Sequence, residues 1–397
     1  MQQKRSGYAD VPRGVWALGF VSLFMDVSSE MIHALLPIFL MSSLGASAGF
    51  VGLIEGVGEG TASIVKIFSG YVSDWLGKRK ALALIGYGLG ALTKPIFALA
   101  ITPYEVLGAR FLDRVGKGIR GAPRDALVAD ITPASARGAA FCVRQALDTV
   151  GAFMGPALAI ALMWLYADNM RAVFWWAIVP GLIAVALLFV GVEEVAERGA
   201  KTAARARPPI TWRSIGELGL PFWIITAIGA VFTLARFSEA FLVLRAQNVG
   251  VSIALVPLIM IAMNVVYAAT SGPIGALSDR IGRLWLLGVG LMMLVGADFV
   301  LAAWGTIAGV FAGAALWGLH MGATQGLFAA LVADTAPAEL RGTAFGMFNL
   351  IGGIAALLSS LIAGLLWQMI GPPATFLAGA VFAGIALAGL AAYRRRA

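Results

Sequence analysis

Asp26, Glu30 and His33 form the most specific chemical pattern in this 397-residue chain. Spacings of four and then three residues put them on one face of a helix, with Ser29 alongside. Two carboxylates and an imidazole on one stripe can bind protons, because crowded acids in a low dielectric resist full ionisation. The same donors suit a divalent cation, so the metal question stays open. A second stripe holds Glu55 and Glu59 with Lys66 seven residues beyond. A third group runs through Lys117, Arg120, Arg124 and Asp125, with Arg144 and Asp148 following at i, i+4. It is expected to be an inter-helix charge network that closes a gate, the alternative being a clamp for an anionic substrate. Arg236 and Glu239 add a fourth pair, and Ser238-Glu239 echoes Ser29-Glu30. Among the remaining polar groups, Asn264, Tyr267, His320 and Gln325 are secondary candidates; a lone histidine such as His320 is more often structural than a ligand, and Asp298 is an isolated acid.

These charges sit in an unusual chain. It is 60% hydrophobic and 13% charged, with a mean hydropathy of +0.87. A soluble domain carries about a quarter charged residues. The excess apolar surface calls for lipid, and in lipid each backbone amide must be satisfied within a helix or a closed barrel. The apolar runs are long and do not alternate, which excludes a barrel. A spanning helix needs about 20 such residues. Twelve spans are expected, near 15–41, 50–73, 81–101, 104–128, 139–166, 172–192, 219–245, 252–277, 284–304, 306–333, 343–370 and 373–393. An ionisable group at that depth costs at least about 2.5 kcal/mol, which makes the four clusters functional candidates by default.

Charge bias orients the helices. With the N-terminus placed inside, short inside segments hold eighteen of the 29 Lys and Arg residues, and outside loops hold only Arg171 and Arg245. Both termini are therefore expected in the cytoplasm of a multi-pass bacterial inner-membrane protein. The net charge of +8 is topology rather than nucleic-acid binding. One cysteine, Cys142, excludes a disulfide framework. Nucleotide-loop, zinc-protease and nucleophile-elbow patterns are absent, so neither an enzyme nor a cofactor is expected. Tryptophans such as Trp164, Trp175, Trp304 and Trp367 fall near span ends, as interfacial belts do.

The chain repeats itself. Ala126-Leu-Val-Ala-Asp130 recurs 204 residues later as Ala330-Leu-Val-Ala-Asp334, and Arg137-Gly138 recurs as Arg341-Gly342. Gly70-Tyr-Val-Ser-Asp74-Trp-Leu-Gly77 recurs as Gly275-Ala-Leu-Ser-Asp279-Arg-Ile-Gly282. The expected organisation is a six-helix bundle over 1–192, a polar linker over 193–218 and a second six-helix bundle over 219–397. Parallel repeats of this kind place a substrate path at their interface.

The segment Gly70-x-x-x-Asp74-x-x-Gly77-Lys78-Arg79-Lys80 resembles the signature loop of the major facilitator superfamily, and Gly275 to Arg283 resembles its degenerate second copy. The resemblance spans the chain and implies the all-α fold of that superfamily, about twelve helices in two pseudo-symmetric bundles. It also implies alternating access, with Gly70, Asp74, Gly77, Lys78, Arg79, Gly275, Asp279, Gly282 and Arg283 as a conformational latch. Gly151-x-x-x-Gly155-Pro156 resembles the helix-5 motif of the superfamily's proton antiporters, except that Ala159 and Ile160 stand where the full pattern has glycines. Arg110-Phe-Leu-Asp113-Arg114 resembles an exporter motif of helix 4, with Arg114 in place of its glycine. The expected activity is proton-coupled export of a small molecule by a monomer. Asp26, Glu30, His33, Glu59, Arg110, Asp113, Arg236, Glu239 and His320 are the coupling and substrate residues. A divalent-metal exporter and an uptake symporter are the alternatives.

Overall fold

The computed structural model describes residues 11–133, 136–194, 215–324, 327–337 and 340–395, without the side chains of Asp74 and of 275–281. The expected linker therefore lies mostly outside the described residues, as do Gln325 and the side chains of Asp74 and Asp279.

Twelve long helices account for nearly all of the described residues, and no strand is among them. We number them α1 (Arg13–His33), α2 (Ala48–Leu76), α3 (Arg79–Leu99), α4 (Pro103–Ile131), α5 (Arg137–Leu165), α6 (Met170–Gly191), α7 (Gly219–Asn248), α8 (Leu258–Ile281), α9 (Arg283–Ala303), α10 (Ile307–Thr335), α11 (Arg341–Met369) and α12 (Pro372–Arg394). Ten helical stretches of the described chain are both long and apolar enough to cross a membrane. The two long helices left out are α2 and α4. Each has 29 residues, about 43 Å at 1.5 Å per residue, so length is not what fails. Their charges are, and α4 carries the densest group of them.

Local sequence sets the helix ends. At α4, Thr102 and Glu105 form a reciprocal capping box with Pro103 in the first turn. Asn169 caps α6 by accepting from Ala172 N at 3.2 Å. Between α2 and α3, Gly77 has φ +64°, and between α8 and α9, Gly282 has φ +85°. Only glycine adopts such a backbone without strain, so the chain turns tightly at Gly77 and again at its repeat partner.

Two helices depart from the expected continuous spans. Helix α1 ends at His33 and resumes as a short turn over Leu36–Ile38 and a π-turn over Phe39–Ser43. Helix α7 stops at Ala235 and restarts at Ala240. The two breaks lie about one repeat length apart. They leave backbone groups outside the helical ladder, tolerated at membrane depth only where protein or a cavity receives them.

Contacts divide the chain into two compact units. The first is Met1–His33 with Ile64–Pro208; the second is Ala34–Ser63 with Pro209–Ala397. In the first, α1 packs on α5 and α6, and α3 packs on α4 and α6. In the second, α7 packs on α11 and α12, and α9 packs on α10 and α12. Adding six to each helix number converts one list into the other, so the repeat in the sequence is a repeat in packing. The second unit also holds the first half of α2. There a methyl group at Gly52 would come within 2.2 Å of Ser360 O, and one at Gly56 within 2.6 Å of Leu357 O. Lipid offers no hydrophobic drive for helices to associate, so such small-residue approaches supply the contact.

Candidate functional site

In the first unit the acidic stripe of α1 is half-buried and faces α4 and α5. Glu30 Oε2 lies 3.4 Å from His33 Nδ1. Asp148 of α5 faces Asp26. Lys117 of α4 faces both Asp26 and Glu30, and Arg114 faces Glu30. The helix-5 glycines explain how α1 comes so close. A methyl group at Gly151 would sit 2.6 Å from Leu23 O and 3.0 Å from Asp26 Cβ; one at Gly155 would sit 2.6 Å from Glu30 Cβ and 3.0 Å from Val27 O. The motif therefore lies directly against the two acids. From the other side Ser28 Oγ donates to Ala177 O at 2.6 Å and pins α1 to α6.

Behind this stripe is a residue that sequence reasoning passed over. Lys94 of α3 is 1% exposed. Its Nζ donates to Asp113 Oδ1 at 2.9 Å and to Ser29 Oγ at 3.1 Å. Arg114 Nε lies 3.9 Å from the other Asp113 oxygen. Asp113, expected as a coupling residue with Arg110, is buried and held mainly by Lys94, with Arg110 among the surrounding cations. The signal was available: a lone lysine inside an apolar run is as costly as a lone acid.

Further along, α4 and α5 carry the expected charge network. Arg124 contacts Asp125 at 3.1 Å and Asp148 at 3.8 Å, and donates to Ser22 Oγ at 3.2 Å. Arg144 lies 3.5 Å from Asp148 and 3.8 Å from Asp125. Arg120 is 5% exposed, with its guanidinium 4.9 Å over the Tyr87 ring.

The other candidates fall in the second unit. Arg236 and Glu239 flank the break of α7, half-buried. Within the break, Ser238 Oγ donates to Glu55 Oε2 at 3.1 Å, and Ser238 N donates to Ser360 Oγ at 3.2 Å. Glu55 is 1% exposed, so this acid is engaged by α7 and shielded from solvent. Glu59, one turn on, belongs to the same unit and not to the one holding Asp26 and Glu30. His320 is fully buried and its Nδ1 donates to Gly290 O at 2.9 Å, with Arg236 nearby, while its Nε2 has no hydrogen-bond partner among the described residues. Asp298, set aside in the sequence, is fully buried on α9 against Gly379, and neither oxygen has a hydrogen-bond partner among the described residues. Trp367, near the end of α11, also packs against Phe241 and Phe376. Among the described residues no three His, Cys, Asp or Glu side chains converge as a metal site would require.

The loop motif forms the same ion pair twice. Arg79 binds Asp130 in the first unit, and Arg283 binds Asp334 in the second, both 51 residues apart in sequence. Lys80 Nζ donates to Phe189 O at 2.9 Å, and its backbone N donates to Glu194 at 3.1 Å.

A family model described as Major Facilitator Superfamily matches residues 18–245 and 237–397. The chain belongs to this superfamily. It is a multi-pass membrane transporter of small molecules and not an enzyme. Among relatives within the superfamily, an uncharacterized MFS-type transporter of Methanocaldococcus jannaschii is 32% identical over 391 residues, covering 96% of this chain and 95% of the relative. The inner membrane transport protein YajR of Escherichia coli is 22% identical over 393 residues, covering 94% and 81%. Multidrug resistance protein MdtH of Photorhabdus laumondii is 29% identical over 162 residues, covering 41% and 39%. The superfamily fold is equally clear in solved structures. A bacterial homolog of the human lysosomal transporter Spinster aligns with a TM-score of 0.77 at 16% identity, over 96% of both chains. A POT family transporter aligns with a TM-score of 0.78 at 12% identity, over 98% and 96%.

Proposed function

We propose that this transporter is driven by protons bound on the α1 stripe, at Asp26 and Glu30 with Asp148, and that it works as a monomer by alternating access between its N- and C-terminal six-helix halves, both termini cytoplasmic. One observation carries the reading: the two acids are pressed by Gly151 and Gly155 against a helix that brings a third acid, while α4 offers Lys117 and Arg114 as alternative partners. A carboxyl so placed has two states, protonated or paired with a cation, and switching between them is what coupling requires. Lys94 and Asp113 hold α3 and α4 in register behind it through Ser29. The paired contacts Arg79–Asp130 and Arg283–Asp334 act as the latch.

The helix-5 motif favours export in exchange for protons, and the partial similarity to a multidrug resistance protein supports it. Cotransport is the second reading, favoured by the cations that face the acids. The test begins with a deletion strain challenged with a panel of toxic compounds and metals, with and without the wild-type and Glu30→Gln genes. A solute that separates the strains is then followed in proteoliposomes under an imposed pH gradient. Glu30→Gln should fold normally and lose proton-driven accumulation. Uphill transport by that variant at the wild-type rate and pH dependence refutes the assignment.

A further inference from the structure

Inside its spans the first unit carries Lys66, Lys94, Arg110, Arg114, Lys117, Arg120, Arg124 and Arg144 against Asp26, Glu30, Asp113, Asp125 and Asp148. Adding Glu55 and Glu59 of α2 still leaves one cation in excess, with Asp74, Glu105 and Asp130 lying near helix ends and outside this count. An unbalanced charge at this depth is expensive, and a balancing anion removes that cost. The excess is not spread evenly. Arg110, Arg114, Lys117, Arg120 and Arg124 all fall on one face of α4, within about 120° of the helical wheel at 100° per residue. Lys66 of α2 lies along the same face, its side chain within 3.6 Å of the position a methyl group would take at Gly121. Lys66 and Lys117 are exposed. Arg120 is 5% exposed, and its Nη1 has no acceptor among the described residues. A buried guanidinium nitrogen without an acceptor is a place for one that is not yet bound.

We infer that the substrate is an anion held against this cationic face of α4, and that it loads together with the proton, which selects the cotransport reading above over exchange. The inference rests on the proton site proposed above and gives its coupling a sign. The acids of α1 are faced by Lys117 and Arg114 from α4, Asp148 from α5, His33 on α1 itself and, through Ser29, Lys94 from α3. Helix α6 brings only Arg171, whose Nη1 donates to Ala98 O at 2.7 Å. While ionised, Asp26 and Glu30 occupy Lys117 and Arg114. Protonation releases those two cations, and an incoming carboxylate, sulfonate or phosphate takes their place. Anion and carboxylate compete for the same charges, so proton uptake promotes anion binding. By linkage, affinity falls about tenfold per pH unit for each proton taken up with the ligand.

The test uses the purified full chain in detergent, with no gradient imposed. Thermal stabilisation by sulfate, benzoate and naphthalenesulfonate is compared with chloride at matched ionic strength, at about pH 6 and about pH 8, where these anions keep their own charge. The expected result is stabilisation beyond chloride by at least one of them, larger at the lower pH. Lys117→Gln, an exposed substitution, and Arg120→Gln should each weaken it at least tenfold in apparent affinity. Glu30→Gln should keep the stabilisation and flatten its pH dependence. No effect beyond chloride, or an effect untouched in both cation variants, overturns the substrate class and leaves the proton site standing. Anion binding that is lost in Lys117→Gln yet equal at both pH values overturns the shared loading, and the proton site with it.

Discussion

Replacing Gly155 by alanine adds one methyl group to α5 where α1 leaves no room. The methyl would lie 2.6 Å from Glu30 Cβ, 3.0 Å from Val27 O and 3.2 Å from Met31 N. Carbon contacts are comfortable at about 3.5–4.0 Å, so α1 must retreat by about 1 Å. Two of the three obstructing atoms are backbone, and a rotamer change does not relieve them. Overpacking of this kind costs about 1–3 kcal/mol, and it also draws Glu30 away from Lys117 and Arg114. Gly138 supplies a control on the same helix. Nothing lies within 4 Å of a methyl there, and alanine should stabilise the helix by about 0.5–1 kcal/mol. Unfolding temperature in detergent should fall for Gly155→Ala and hold or rise for Gly138→Ala, and proton-driven transport should fail only in the first. Equal stability of the two variants, or a loss shared by both, refutes the argument that these glycines exist to seat the acids.

Other contacts make equally direct predictions. Lys94→Met strands Asp113 and should cost about 3 kcal/mol, whereas the double variant Lys94→Met/Asp113→Leu should recover most of it; thermal melts of the single and double variants measure the coupling. Gly77→Ala forces a side chain into the left-handed region and should cost about 1–2 kcal/mol, with proteolysis at the α2–α3 turn as the readout. Arg79→Asp should impair transport with little loss of melting temperature, since exposed pairs contribute about 0–1 kcal/mol. Adding Asp130→Arg should restore transport if the pair, rather than either residue, is the latch.

Hydropathy reports burial in lipid directly, and for that reason the chain displays its helices so openly. Even the departure is instructive: α2 and α4 fall short of a spanning composition because they carry Glu55, Glu59 and the cationic face. Periodicity also shows which residues share a helix face, so the grouping of Asp26, Glu30 and His33 was legible. It does not show what that face meets. Asp113 could be read with Arg110, its neighbour in sequence, while its principal partner, Lys94, is on a different helix. Glu55 and Ser238 are 183 residues apart, and nothing local links them.

The amino-acid order alone fixes the membrane class, the twelve helices, the internal repeat and the glycine turn at Gly77, because each follows from transfer free energy or from backbone sterics within a few residues. Tertiary structure alone decides that Gly151 and Gly155 press on Asp26 and Glu30, that Asp148 joins them, and that α1 and α7 break at matching points. Those outcomes depend on how helices rotate and slide against one another until their side chains fit. That is a property of pairs of distant segments, which no single stretch of sequence contains.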